Sequence, residues 1–300
     1  MSTPTLSALP IRRLTPRDLA ACADLSEDRG WPREEHKWGL LLSAGTGYGI
    51  DDPDGPGLIA ACVVTQYGPL ENPGLSAIGM VLVAERHARK GIGRHLMRYV
   101  TDSAGTTPLT LHATPNGRPL YEQLGFKTVG RAEMLRGHFT PSSSSSASAS
   151  ASADETPGIT TRAATAEDLP TLISLDTEVF GLDRTHMLTR LPAFTDQFRV
   201  AEANGEIIGY AGAWPNMETH VVGPLIARDT ETAKALIASL GARTDRPLRT
   251  DIDVRHEELL TWAKEHGLET VAFNAVMTYG IQELPGDWTR RFAPLTVAAG

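Results

Sequence analysis

Cysteine is nearly missing from this chain, with Cys22 and Cys62 the only two among 300 residues. Two thiols cannot build a disulfide framework or a four-thiolate zinc site, and they suit buried side chains in a reducing compartment. Long apolar runs are missing as well. Nowhere do about 18 consecutive apolar residues occur, as a spanning helix needs, and the start MSTPTLSALPIRRL holds no uninterrupted apolar segment for a signal sequence. A cytoplasmic protein that neither crosses nor enters a membrane is expected. A cationic excess is also absent. Lys and Arg total 28 against 36 Asp and Glu, a formal net charge of -8, which argues against a general nucleic-acid or anionic-lipid binder. No nucleic-acid partner and no metal are expected.

What the chain does have is 41% hydrophobic residues, enough to fill real cores. One stretch lacks the larger of them. The segment PSSSSSASASASADETP, residues 141–157, has no large apolar side chain to offset the entropy of ordering it, and a coil of that kind spans roughly 20 to 25 Å. It reads as a linker between domains at 1–140 and 158–300. The two parts begin alike: RRLTPRDLAACADL, from Arg12, and RAATAEDLPTLISL, from Arg162, align without gaps at an offset of 150. Thr15 and Thr165 are expected helix N-caps, followed three residues later by Asp18 and Asp168.

Pattern reading gives a strand near Ile11, helices from Thr15 and Glu34, and strands over 58–65 and 76–83. A helix over 93–104, a strand over 109–113, a short helix over 119–124 and strands near Phe126 and Arg136 complete the first part. The second part repeats the order. Strands over 198–203 and 206–213 are joined by the turn Asn204-Gly205, and a strand over 220–227, a helix from Thr230, a strand over 248–254 and a helix over 256–266 follow. Both parts imply an α/β (α+β) fold with mixed sheets, arisen by duplication.

After the apolar run IGMVLV comes RHARKGIGRHLM, residues 86–97, which places glycines and cations where a strand gives way to a helix. Free amides, glycine turns and the helix dipole make such a place an anion site, and Arg89, Lys90 and Arg94 add full charges. A Walker loop is absent, and a dinucleotide fingerprint would need a third glycine where Leu96 stands. Downstream lies LHATPNGRPLYEQLGF, residues 111–126.

Together the loop Ala88-Arg89-Lys90-Gly91-Ile92-Gly93 and the later Tyr121-Glu122-Gln123-Leu124-Gly125-Phe126 resemble the GNAT superfamily of acyl-CoA-dependent N-acyltransferases. Ala88 stands where that family favours Arg or Gln. The resemblance implies that the amides of Arg89, Lys90, Gly91, Ile92, Gly93 and Arg94 hold the CoA pyrophosphate. By the same resemblance, the strand edge at Val81 and Val83 pairs with the pantetheine arm, and Thr114 takes the place of an Asn that bonds it. Tyr121 is the implied general acid at the leaving sulfur, its alternative role being a packing anchor. For the base, Glu85, His87 and His112 are candidates, each with a plain structural alternative. Trp31, His36 and Trp38 either shape the acceptor pocket or form a helix face.

In the second part the matching loop has lost both glycines and offers Asp229 and Glu231, while Ala263 stands at the place of Tyr121. CoA binding there is not expected. The phrases FGLDR, VVGPLIA and VMTYG resemble the C-terminal domain of a bacterial two-domain GNAT family, which implies two tandem GNAT-like domains, each a mixed, mostly antiparallel sheet flanked by helices. The second is the degenerate copy, expected to contribute to the acceptor site. Asp183, His186, His220, Asp251 and Asp253 are its polar residues of interest. The expected activity is transfer of an acetyl group from acetyl-CoA to a primary amine of a small molecule or amino acid. Alternatives are a protein lysine or N-terminal acetyltransferase and an acyl-CoA-binding sensor. A fragment ending near Pro141 is expected, if it stays soluble, to keep CoA binding and to lose acceptor turnover.

Overall fold

The computed structural model describes residues 9–69, 71–141 and 158–300. Apart from Pro141, the expected linker lies outside the described residues. In chain order the elements are β1 (Arg12–Leu14), α1 (Leu19–Asp28), α2 (Glu35–Ala44), β2 (Thr46–Asp51), β3 (Leu58–Tyr67), β4 (Leu75–Val83), α3 (Ile92–Ala104), β5 (Leu109–Ala113), α4 (Arg118–Gln123) and β6 (Lys127–Gly137). There follow β7 (Thr160–Ala163), α5 (Leu169–Phe180), α6 (Thr185–Leu188), α7 (Leu191–Phe194), β8 (Gln197–Ala203), β9 (Glu206–Asn216), β10 (Thr219–Ala227), α8 (Thr230–Gly241), β11 (Leu248–Asp253), α9 (Glu257–Glu265), β12 (Glu269–Tyr279) and β13 (Arg291–Ala293).

Two compact units form, and neither is a single run of the chain. The first takes the described residues up to Val129 together with Ala275–Leu284 and Val297–Gly300. The second takes Gly130–Asn274 and Pro285–Thr296. The physical reason is strand exchange, because hydrogen bonding rather than chain order decides which sheet a strand completes.

In the first unit β1, β2, β3 and β4 pair antiparallel in sequence, and β4 pairs parallel with β5. The outer partner of β5 is the far end of β12, antiparallel, with Ala275 opposite Ala113 and Tyr279 opposite Leu109. Helices α1, α2 and α3 pack on β3. α3 turns Ile92, Leu96, Met97 and Val100 inward, one apolar stripe at helical spacing. The C-terminal residues close this unit: the Tyr67 hydroxyl donates to the Ala299 carbonyl, and any side chain on Gly79 would overlap Ala298.

The second unit has the matching sheet. β7, β8, β9 and β10 pair antiparallel, β10 pairs parallel with β11, and β6 supplies the outer antiparallel strand, Ala132 opposite Asp253 and Gly137 opposite Leu248. α8 packs against β8, β9 and β10, burying Leu236, Ile237 and Leu240 with Leu225, Ile252 and Leu259. β13 joins β10. Each unit is therefore a mixed, mostly antiparallel sheet flanked by helices. The chain from Thr15 begins with a 3-10 turn at Pro16–Asp18 before α1, and the strands expected near Phe126 and Arg136 are one strand, β6.

Candidate active site

β3 and β4 lose register at one place. Ala61 faces Leu82 and Val63 faces Gly79, so Met80 and Val81 together stand opposite Cys62, and Met80 takes a left-handed φ of 52°. Two residues against one make a β-bulge, which bends β4. On its other edge β4 pairs with β5 only from Ser76 to Ile78, although both strands run on. The edge of Val81 and Val83 is left outside that ladder.

β4 leads through the 3-10 turn Glu85–His87 into the glycine loop. Arg89 and Gly91 are both left-handed, at φ 59° and 84°, and Gly91 is the residue on which α3 starts. Alternation of this kind turns successive amides to one side. No side chain caps α3, so the amides of its first turn face outward with the dipole behind them. Arg89, Lys90 and Arg94 are exposed around the loop, with Lys90 donating to the Arg86 carbonyl at 2.8 Å and Arg94 to the Gln123 amide oxygen.

α4 comes to the same place. A Cβ on Gly93 would lie 3.4 Å from both Val83 Cγ2 and Leu120 Cδ2, so the loop, the end of β4 and α4 meet there. Tyr121 is buried on α4, next to Thr114 and Gly117: a Cβ on Gly117 would stand 3.5 Å from Thr114 Oγ1 and 3.6 Å from the Tyr121 hydroxyl. That hydroxyl makes no hydrogen bond among the described residues. Burial, and secondarily nearby Cys62, raise its pKa above the ordinary 10, which keeps the phenol protonated. Cys62 itself is pushed up to about 12 by burial, an inert thiol rather than a nucleophile. Sequence reasoning missed Met80 and Gly117, whose places depend on the bulge and on long-range pairing, whereas Cys62 is buried as expected. The glycine in PNGRPLY was a signal available for Gly117.

The base candidates separate. The Glu85 side chain is 68% exposed and pairs with Arg29, His112 is half-buried on β5, and His87 is buried beside Asp52 and Asp54. Trp38 is a core residue whose indole donates to Ser26 Oγ at 2.9 Å, whereas Trp31 and His36 are exposed. In the second unit Asp229 caps α8, accepting from the Thr232 amide at 2.8 Å, and Ala263 is fully buried. The helix start left open in the first unit is here filled by the protein's own carboxylate. The other polar residues of that unit have structural partners: Asp183 accepts from the Thr185 amide, His220 lies between Asp196 and Thr244, and Asp251 and Asp253 pair with Arg249 and Arg255. His186 is half-buried.

A family profile described as an acetyltransferase (GNAT) domain matches residues 67–140, and a second profile of the same description matches 172–293. The chain belongs to the GNAT acetyltransferases. It carries two GNAT domains in tandem. The uncharacterized N-acetyltransferase YitH of Bacillus subtilis (strain 168) is 29% identical over 235 residues, 77% of each chain. A Pyrococcus horikoshii protein shares the fold with a TM-score of 0.76 at 17% identity, over 97% of this chain and 95% of the other. A tandem GNAT protein from the clavulanic acid biosynthesis pathway does so at 0.64 and 12% identity, over 90% and 98%. This GNAT protein is an N-acetyltransferase by family, with the loop and Tyr121 in the first unit. Among the described residues no helix is long and apolar enough to cross a membrane.

Proposed function

We propose that this GNAT protein transfers the acetyl group of acetyl-CoA to a primary amine of a small molecule or amino acid. The observation that carries the reading is the uncapped, glycine-bearing start of α3 set against the free edge of β4, with a protonated tyrosine beside them. The amides of Arg89, Lys90, Gly91, Ile92, Gly93 and Arg94 hold the pyrophosphate, and Ala88 leaves that task to the backbone. Val81 and Val83 pair with the pantetheine amides, and the Thr114 hydroxyl adds a further bond to that arm.

The amine nitrogen attacks the thioester carbonyl carbon, forming a C–N bond. The C–S bond then breaks, and the departing sulfur takes the Tyr121 hydroxyl proton. The proton shed by the amine goes to solvent, and the tyrosinate is reprotonated there. Such acid help is worth about 10² to 10⁴-fold. The test is a screen of small amines with acetyl-CoA, read by free-thiol release, with Tyr121→Phe run beside the native chain. Turnover of an amine that falls by a factor in that range, with CoA affinity nearly unchanged, supports the assignment. Native turnover in Tyr121→Phe removes it.

A further inference from the structure

The first unit holds a second group of polar side chains, to which the reaction proposed above assigns no step. Asp52 and Asp54 lie between β2 and β3, and His87 ends the turn that precedes the glycine loop. One ligating atom from each residue lies within 4.8 Å of the other two. Two carboxylates near each other on a loop carry no argument by themselves. The histidine does.

His87 is only 6% exposed, and neither Nδ1 nor Nε2 has a hydrogen-bond partner among the described residues. A buried imidazole with both nitrogens unsatisfied has given up its hydration without replacement, a cost that folded proteins seldom leave standing. One of those nitrogens belongs to the same cluster as the two carboxylate oxygens. The Arg86 guanidinium donates to Asp52, and the Asp54 amide donates to Asp52 Oδ1 at 3.0 Å, so the Asp52 side chain is held in place with part of its charge offset. Asp54 remains an exposed carboxylate facing a bare ring.

A divalent cation completes this arrangement: it takes the lone pair of one imidazole nitrogen and neutralises the carboxylates. The exposed side at Asp54 admits the waters that fill its remaining positions. One nitrogen and two oxygens suit borderline first-row ions more than calcium or magnesium, which favour all-oxygen shells. We propose that Asp52, Asp54 and His87 form a binding site for one first-row divalent cation of the zinc type, outside the acyl-transfer machinery. An ion there ties the segment between β2 and β3 to the residue immediately before Ala88, and so braces the approach to the glycine loop from behind.

The experiment uses the full chain, stripped with chelator and dialysed. Zn²⁺ is titrated by calorimetry, and Co²⁺ is added separately for its d–d absorption, which reports mixed nitrogen and oxygen ligation. One ion is expected at this site, and Asp54→Asn and His87→Ala should each weaken it by more than about 100-fold, beyond the loss of an outer hydrogen-bond partner. Asp54 is exposed, so Asp54→Asn retains the fold even where removal of the buried His87 ring does not. Zn²⁺ affinity unchanged in Asp54→Asn overturns the proposal. So does a native chain that takes up neither ion at about millimolar concentration.

Discussion

Gly91 and Gly93 do different jobs within three residues. Gly91 needs its left-handed backbone, whereas Gly93 does not, and a Cβ at Gly93 makes only ordinary 3.4 Å contacts with Val83 and Leu120. Gly93→Asp should therefore fold with an unfolding midpoint close to the native one, while its carboxylate occupies the open mouth of α3. CoA affinity is expected to fall by roughly 100-fold or more, the scale of one like-charge encounter in a partly buried site. Calorimetry measures both this and the stoichiometry, expected to be one CoA per chain because Asp229 already plays that part at α8. Unchanged affinity in the variant, or two CoA per chain, contradicts the assignment. The loop and the tyrosine motif were legible because their meaning is local. The bulge at Met80 was not, since its left-handed backbone arises only where β3 and β4 fall out of register.

The repeated helix starts share their principal hydrogen bonds. Asp18 Oδ2 accepts from the Thr15 amide at 2.8 Å, and Asp168 Oδ2 accepts from the Thr165 amide at 2.7 Å. Arg12 and Arg162 each reach the other carboxylate oxygen at 2.8 Å. The guanidinium hydrogen bond is the largest cause that holds each carboxyl below its ordinary 3.8, with burial opposing it. A lowered folded-state pKa adds stability that is fully present above the unfolded value and is lost as pH falls through the folded one. Asp168→Asn should cost about 1 kcal/mol at neutral pH, as a lost cap does, and the gap from the native chain should close below pH 3.8. Urea unfolding across that range measures it, and a gap independent of pH would contradict the linkage. These starts were readable from Thr and Asp spacing alone. β2 was not, because Gly47 and Gly49 weaken any strand signal, and their reason lies elsewhere: a Cβ on either would strike the Leu14 side chain at 2.8 and 2.7 Å.

At the scale of the whole molecule, the exchange of β6 and the end of β12 is what the sequence concealed. VMTYG was visible as a phrase, but nothing near it announces that Val276 pairs with His112. Composition sets boundaries along the chain, whereas the sheets are set by pairing between distant segments. A fragment ending near Pro141 lacks the outer partner of β5 and the residues packed on Gly79, so it should aggregate or remain unfolded instead of staying soluble to bind CoA. The intact chain, by contrast, should survive cutting between its halves. With a protease site engineered into residues 142–157, the two pieces should co-elute in native size exclusion and part only in denaturant, since each half supplies a strand to the other's sheet. Separation without denaturant would contradict the exchange. The same exchange governs the order of events at the ribosome. β5 emerges early, yet its outer neighbour is made only after β6 to β11 of the second sheet have been translated, an interval on the order of ten seconds or more. The half synthesised first is thus the half completed last, and during that wait its unpaired edge is the nascent chain's most exposed point and the place where a chaperone has most to protect.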